Sequence, residues 1–112
     1  MQVYIFTDME GISGASGSDF VTADGAFYQA GRRYYTDDMN VCARACFEAG
    51  AERVILRDGH GGGNHALWEE LDARVEIVRG HGGERRMPAV EGSDAVILLG
   101  YHAMAGTPDA LL

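Results

Sequence analysis

The apolar residues of this chain gather in four short runs that predict β-strands: residues 2–6 (QVYIF), 52–57 (ERVILR), 74–78 (RVEIV) and 94–100 (DAVILLG). The first, second and fourth runs are almost continuously apolar, which is typical of strands buried on both faces of a parallel sheet. The third run alternates apolar and polar residues. We therefore expect it to be a more exposed strand, at an edge of the sheet.

Apolar residues at near-helical spacing lie between the first two predicted strands. They outline one face of a helix over residues 26–49, formed by Phe27, Ala30, Tyr34, Val41, Ala45 and Ala49. Thr36-Asp37-Asp38 either caps a second helix or lies on the polar side of one continuous helix. A shorter helix is predicted over NHALWEELDA, between the second and third strands, with Asn64 as its N-cap.

Strands that alternate with helices predict an α/β fold. We expect a three-layer, mostly parallel sheet of about four strands with right-handed crossover helices. At 112 residues the chain is one domain or part of one. Its last residues, TPDALL, include no element that would cover the fourth strand. We therefore expect an incomplete domain.

Composition narrows the classes of function. Seventeen acidic and nine basic residues give a formal charge of −8, which disfavours nucleic-acid binding and tolerates cations. No apolar run approaches the roughly 18 residues of a membrane span, and no signal peptide is recognisable, so we expect a cytoplasmic location and no membrane partner. Cys42 and Cys46 are expected to be small core residues of the helix, with a metal site or a disulfide as the alternative.

The polar residues with metal-binding chemistry follow the predicted strands. Ligands of parallel sheets bind beyond the carboxyl ends of the strands. The residues found there are Asp8 and Glu10 after the first strand, Asp58, His60 and His65 after the second, and His102 after the fourth. Carboxylate and imidazole are zinc-type ligands, and the 16 glycines of the chain, many of them in these loops, permit close approach of backbone and ligand.

Asp8 and Glu10 lie one residue apart, so their side chains converge on one cation if the strand continues. Two carboxylates that close repel each other unless a cation or a proton neutralises them. His60 and His102, in glycine-rich loops at the same sheet edge, are the candidate partners. We therefore predict a metal site of Asp8, Glu10, His60 and His102.

Other polar residues are not expected to bind the metal directly. Asp58 either orients His60 or merely solvates the strand end. His65, His81 and the pair Arg85-Arg86 are expected on solvated surfaces. GISGASG after the first strand could be a phosphate-binding loop, but it lacks the glycine–lysine order of such loops, and the neighbouring carboxylates would repel a phosphate.

Three segments of the chain together match a known family. VYIFTDMEGISG at the start, RDGHGGGN after the second strand and LLGYHAMAGTP after the fourth resemble the zinc-dependent D-aminopeptidases. The order and spacing of the motifs agree over essentially the whole chain. By this resemblance, residues 1–112 are the N-terminal metal-binding α/β part of a D-aminopeptidase-like domain.

The resemblance implies a two-zinc aminopeptidase that releases N-terminal D-amino acids from short peptides and assembles as a ring-shaped homo-oligomer. It implies that Asp8 is shared by both zinc ions and that Glu10, His60 and His102 are further ligands. Members of the family are more than twice as long. A further glutamate ligand and a histidine with a catalytic role are accordingly expected beyond Leu112, and no residue of this chain is assigned as catalytic.

Two alternatives to the peptidase remain open. The chain could be a metal-binding or assembly module without catalysis, because part of the expected site is missing. It could also be a phosphohydrolase that uses the same ligand types with Mg²⁺ or Mn²⁺.

Overall fold

A computed structural model of the protein describes residues 1–111, and Leu112, the last residue of the predicted domain, lies outside the described residues. The four strands are β1 (Gln2–Thr7), β2 (Arg53–Asp58), β3 (Glu76–Val78) and β4 (Ala95–Leu99), and the long helix is α1 (Tyr28–Glu48). All neighbouring strands are parallel, in the order β3-β2-β1-β4. This confirms the predicted α/β class, the parallel sheet and the edge position of β3.

The main core lies between the sheet and α1. Alternate strand residues point to the same face, so Val3 and Ile5 of β1 join Val54 and Leu56 of β2 against the helix. The helix contributes side chains that are completely buried, namely Tyr35, Met39 and Ala43. Removing these apolar surfaces from water is the main favourable term that holds α1 on the sheet.

α1 is one continuous helix through Thr36, so this segment does not cap a second helix. The Thr36 hydroxyl donates to the carbonyl of Arg32 at 2.8 Å and accepts the backbone N–H of Leu67 at 2.9 Å. Cys42 and Cys46 are free and lie partly buried against the core, as expected of small apolar residues. In the described part of the chain, no helix combines the length and the apolar character needed to cross a membrane.

The opposite face of the sheet has a smaller core and no helix in the described residues. Tyr4, Phe6 and Ile55 are buried there under Val78 and side chains of the irregular segment 80–93. The Tyr4 hydroxyl donates to the carbonyl of Pro88 at 2.8 Å, which fixes this segment on the sheet. The third layer is therefore an irregular segment.

Two local predictions were wrong. The helix predicted over NHALWEELDA is only a short 3₁₀ turn, Trp68–Glu70. β4 was expected to be buried on both faces, but Val96 and Leu98 are 47% and 62% exposed. The reason is the position of β4 at the edge of the sheet: Val96 and Leu98 pair in register with Tyr4 and Phe6, on the face away from α1, which no helix of the described residues covers.

Candidate metal centre

The register of β1, β2 and β4 brings the carboxyl ends of these three strands to one level. Thr7 at the end of β1 pairs with Asp58 on one side and with Leu99 on the other. The backbone N–H of Asp8 donates to the carbonyl of Leu99 at 2.9 Å, and that of Gly59 donates to the carbonyl of Thr7 at 3.0 Å. The loops after the three strands therefore start side by side.

A turn after β1, rather than a continued strand, brings Glu10 next to Asp8. The strand ends at Thr7, and the Asp8 carboxylate accepts the N–H of Met9 at 2.9 Å. Gly11 then donates its N–H to the carbonyl of Gly100 at 2.8 Å. A Cβ at Gly11 would lie 2.7 Å from a backbone oxygen of the β4 loop, so this close approach requires glycine. The expected convergence of the two carboxylates thus has a different geometric cause.

Asp8, Glu10 and His60 form a compact cluster. His60 Nδ1 lies 3.0 Å from Asp8 Oδ1 and 3.3 Å from Glu10 Oε1. One potential ligand atom from each of the three side chains lies within 4.8 Å of the others. Asp8 is only 6% exposed, so its charge is largely withdrawn from water.

His102 contacts the other oxygen of the same carboxylate. Its Nε2 lies 3.3 Å from Asp8 Oδ2, whereas His60 faces Oδ1. His102 does not belong to the three-residue cluster with Glu10. Asp8 therefore stands between two imidazoles, one on each carboxylate oxygen.

Backbone carbonyls determine which nitrogen of each imidazole faces Asp8. A carbonyl oxygen only accepts, so the ring nitrogen beside it must carry hydrogen. His60 Nε2 donates to the carbonyl of Val21 at 2.8 Å, and His102 Nδ1 donates to the carbonyl of Ala103. The neutral imidazoles would then present the lone pairs of His60 Nδ1 and His102 Nε2 towards Asp8, which is the orientation that metal ligands need.

The charges of the cluster depend on one another. Burial alone would lower the pKa of His60, but its hydrogen bonds to Asp8 and Glu10 raise that pKa to about 10. Burial would raise the pKa of Glu10, but its hydrogen bonds to His60 and Asp8 lower it to about 2. The two carboxylates thus need a positive neighbour, which can be a proton on His60 or a cation in the same place.

One atom of the cluster indicates that a cation fits. Glu10 Oε2 is buried and has no hydrogen-bond partner among residues 1–111. A buried carboxylate oxygen without a partner is costly. Two carboxylates and two imidazoles, with their outer nitrogens held by backbone carbonyls, are a donor set that zinc accepts.

Asp58 has neither of the two roles considered from the sequence. It is 1% exposed, so it does not solvate the strand end. Its Oδ2 accepts the backbone N–H groups of His65 and Ala66 at 2.6 and 2.8 Å, and its Oδ1 accepts the Tyr35 hydroxyl at 3.0 Å. Asp58 therefore fixes the end of the His60 loop to the sheet and to α1.

His65 is a neighbour of the cluster, so its expected position on a solvated surface was wrong. It is partly buried, and its ring lies edge-on to His60 with centroids 4.6 Å apart. The Tyr28 hydroxyl lies 2.5 Å from His65 Nδ1. Burial is the main cause that lowers the pKa of His65, and the charge of His60 lowers it further. The sequence offered no signal for this contact, because it depends on how the glycine-rich loop folds back.

These features define the class of protein: an α/β protein with a carboxylate–imidazole cluster, suited to a metal ion, at the carboxyl ends of a parallel sheet. A family model described as D-aminopeptidase matches residues 1–112. The chain belongs to the D-aminopeptidase family. It is 33% identical over 115 aligned positions to a D-aminopeptidase of Bacillus subtilis (strain 168), an alignment that covers 99% of this chain and 41% of the relative.

A solved structure supports the same relationship. The chain superimposes on the zinc-dependent D-aminopeptidase DppA from Bacillus subtilis, described as a self-compartmentalizing protease, with a TM-score of 0.88 and 34% identity. The match covers 96% of this chain and 40% of that protein. The chain thus spans about two fifths of the length of the relatives it matches.

Proposed function

We propose that the protein is a zinc-dependent aminopeptidase that hydrolyses N-terminal D-amino acids from short peptides. One observation carries the proposal: the two oxygens of the buried Asp8 carboxylate face different imidazoles, while Glu10 completes one side of the cluster. Membership of the D-aminopeptidase family supports the peptidase chemistry. The zinc dependence of the Bacillus structure supports the choice of metal.

Four side chains would hold the metal: Asp8, Glu10, His60 and His102. When bound, zinc supplies a water of lowered pKa and polarises a carbonyl oxygen. We propose two zinc ions, with Asp8 shared between them, because its two oxygens are directed to separate imidazoles. Val21 and Ala103 act through their carbonyls, which accept from the outer ring nitrogens and so fix the tautomer in which a neutral imidazole presents its lone pair to the metal.

The substrate proposed is a short peptide with a free amino terminus. Its ammonium group carries a positive charge that an acidic protein of net charge −8 attracts. We assign no general acid or base to this chain. The chain's own contribution is to hold the metal ligands in place and to keep Asp8 and Glu10 away from bulk water.

We also propose that the protein assembles with copies of itself and resides in the cytoplasm. The Bacillus D-aminopeptidase DppA is described as a self-compartmentalizing protease, and this supports assembly in this family member. Light scattering measures the mass in solution, and a monomeric mass at micromolar concentration would contradict the assembly. Fractionation of cells tests the location.

The test of the proposed function is hydrolysis of a D-alanyl peptide in the presence of zinc. We expect hydrolysis by the zinc-loaded protein, loss of activity after treatment with a chelator, and recovery on return of zinc. The matching L-alanyl peptide is the control for stereochemical preference. Release of L-alanine at an equal or higher rate would contradict the D-specific part of the proposal.

Other outcomes point to the alternatives. Stoichiometric zinc without turnover would indicate a metal-binding or assembly module. Activity on phosphate esters with Mg²⁺ or Mn²⁺, and none on peptides, would indicate a phosphohydrolase. Either result would contradict the peptidase.

A further inference from the structure

A second cluster of polar groups lies on the other side of the His60 loop. It lines a cavity of about 70 Å³ between β1, β2 and the segment 80–93. The side chains that line it are Phe6, Arg57, His81, Arg85 and Arg86, and the glycines are Gly59, Gly61, Gly82 and Gly83. The cavity is therefore strongly basic in a protein whose net charge is −8.

Arg57 is the central group of this cavity. It is 6% exposed, although arginine is almost never fully buried without a partner. Its Nη1 donates to the carbonyl of Gly80 at 2.8 Å and, at 3.4 Å, to that of Val78. Its Nε is buried without a hydrogen-bond partner, and no carboxylate of residues 1–111 forms an ion pair with it. A buried guanidinium in this state lacks the negative charge that would offset its desolvation.

The other arginines of the cavity differ in their partners. Arg85 is bound to Glu91, with 2.6 Å between Nη1 and Oε1, so its charge is largely compensated. Arg86 is exposed and forms no ion pair within the described part of the chain. Arg57 and Arg86 therefore provide two uncompensated positive charges at one cavity. The exposure of Arg86 agrees with its predicted position on a solvated face.

The cavity is built into the fold next to the metal centre. Gly59 and Gly61, which flank His60, form part of its lining. The N–H of Gly80 donates to the carbonyl of Gly63 at 2.7 Å, and Arg57 holds the carbonyl of the same Gly80. The same loop thus carries a metal ligand and one wall of the basic cavity.

The size and the charge of the cavity select the ligand. A volume of about 70 Å³ is well below the roughly 300–1,000 Å³ of sites for cofactors and drug-sized ligands. It has room for a few waters or for one small oxyanion. A guanidinium with free N–H groups matches a carboxylate or a phosphate, because these groups accept its parallel hydrogen bonds.

We propose that this cavity binds a small oxyanion, and that the oxyanion is the carboxyl terminus of the short peptide substrate. The choice of ligand rests on the proposed function: the cavity is lined by the residues on either side of His60, and the substrate proposed for the metal centre is a short peptide, whose other end is a carboxylate. Arg57 is the specificity-determining residue, and Arg86 assists it. The protein then recognises a short peptide at both ends.

The test uses a D-alanyl peptide analogue in which a methylene-amine replaces the scissile amide, so that binding is measured without turnover. Calorimetry compares the form with a free carboxylate and the form with a C-terminal amide on the zinc-loaded protein. We expect the free acid to bind about 10- to 100-fold more tightly than the amide, as hydrogen bonds to charged groups provide. Inorganic phosphate should compete with the acid.

Three variants test which arginine causes the preference for the free carboxylate. Arg57→Met keeps the apolar stem of the side chain but removes the guanidinium, and should abolish the preference for the acid, so that the ratio of the two affinities approaches one. Arg86→Gln, at an exposed position, should reduce the preference several-fold, and this variant decides the test should Arg57→Met fail to fold. Arg33→Gln, an exposed position on α1 with the same change of charge, should keep the full preference.

Equal binding of acid and amide by the native protein would overturn the proposal. So would an Arg57→Met variant that weakens both forms alike. Binding of phosphate that depends on Arg57, with no preference for the peptide acid, would show an anion site for another ligand and also overturn it. Tighter binding of the peptide acid than of the amide, without hydrolysis of D-alanyl peptides, would support the carboxylate site and contradict only the proposed function.

Discussion

Asp8→Asn is expected to abolish both zinc binding and peptide hydrolysis. The amide removes the negative charge between His60 and His102 and leaves only one oxygen to face the two imidazoles. Loss of a group that only hydrogen-bonds a metal ligand already lowers metal affinity or activity roughly 10- to 100-fold. Because Asp8 is proposed as a ligand itself, we expect its replacement to lower both by more than about 100-fold. Isothermal titration with zinc and a kcat/KM measurement report the two losses separately.

The matched control for this change is Asp24→Asn. The Asp24 side chain is exposed and outside the metal cluster, and its replacement alters the net charge by the same amount. It should keep the zinc affinity and the activity of the native protein. Circular dichroism verifies that the Asp8 variant is folded. Zinc affinity within a factor of about three of the native value in a folded Asp8→Asn protein would contradict the assignment of this ligand.

Gly100→Ala is expected to destabilise the protein and to disturb the metal centre together. Gly100 has a φ of +69°, and a Cβ there would lie 2.3 Å from the carbonyl oxygen of Asp8. The left-handed conformation costs a non-glycine residue roughly 1–2 kcal/mol. The collision with backbone adds about 1–3 kcal/mol of overpacking or forces Asp8 to move.

Gly92→Ala separates these two contributions. Gly92 has a φ of +82°, but a Cβ there would meet nothing within 4 Å. The free energy of unfolding of this variant should fall by only roughly 1–2 kcal/mol, which is the cost of the strained backbone, and its zinc affinity should be unchanged. Gly100→Ala should lose about 2–5 kcal/mol in the free energy of unfolding and bind zinc at least about tenfold more weakly. Equal effects of the two substitutions, measured by urea denaturation and zinc titration, would mean that the Gly100 contact does not position Asp8.

The regular elements of the sheet could be predicted closely because each depends on a local pattern. The continuous apolar runs predicted strands at residues 2–6 and 52–57, and the structure has Gln2–Thr7 and Arg53–Asp58. Near-helical spacing predicted residues 26–49, and the helix covers Tyr28–Glu48. In these elements the hydrophobic periodicity and the tertiary packing act in the same direction.

The missing second helix shows where local pattern was insufficient. Its backbone N–H groups are taken by side chains from distant elements. Asp58 accepts those of His65 and Ala66, and Thr36 accepts that of Leu67. These tertiary hydrogen bonds hold residues 65–67 against the end of β2 and α1, and Leu67, with φ −81° and ψ 80°, lies outside the helical region, so helical structure begins only at Trp68. Helical periodicity carries no information about such partners.

The candidate metal residues were selected from the sequence because parallel strands place their carboxyl ends together. The order of strands and loops along the chain thus predicted that Asp8 and His60 lie close together, and His60 Nδ1 is 3.0 Å from Asp8 Oδ1 in the structure. The role of Asp58 in fixing the loop and the contact of His65 with His60 could not be predicted in this way. Both depend on the path of the loop after β2, whose glycines permit many conformations in the unfolded chain.

The basic cavity was missed for a related reason. Arg57 lies near the end of β2, an otherwise apolar run, and a single polar residue near a strand end carries no periodic signal of its own. The structure buries it because the irregular segment 80–93 covers that face of the sheet. Irregular segments have no periodic signal, so the sequence did not indicate what lies over Arg57.

The measurement that tests the central claim most directly is the identity of the bound metal and its ligands. X-ray absorption at the zinc edge, combined with metal analysis of the purified protein, reports both. We expect stoichiometric zinc with mixed oxygen and nitrogen ligands, and loss of the nitrogen signal in a His60→Ala, His102→Ala double variant. Protein that binds no zinc, or zinc whose spectrum is unchanged in that double variant, would contradict a metal centre built around Asp8.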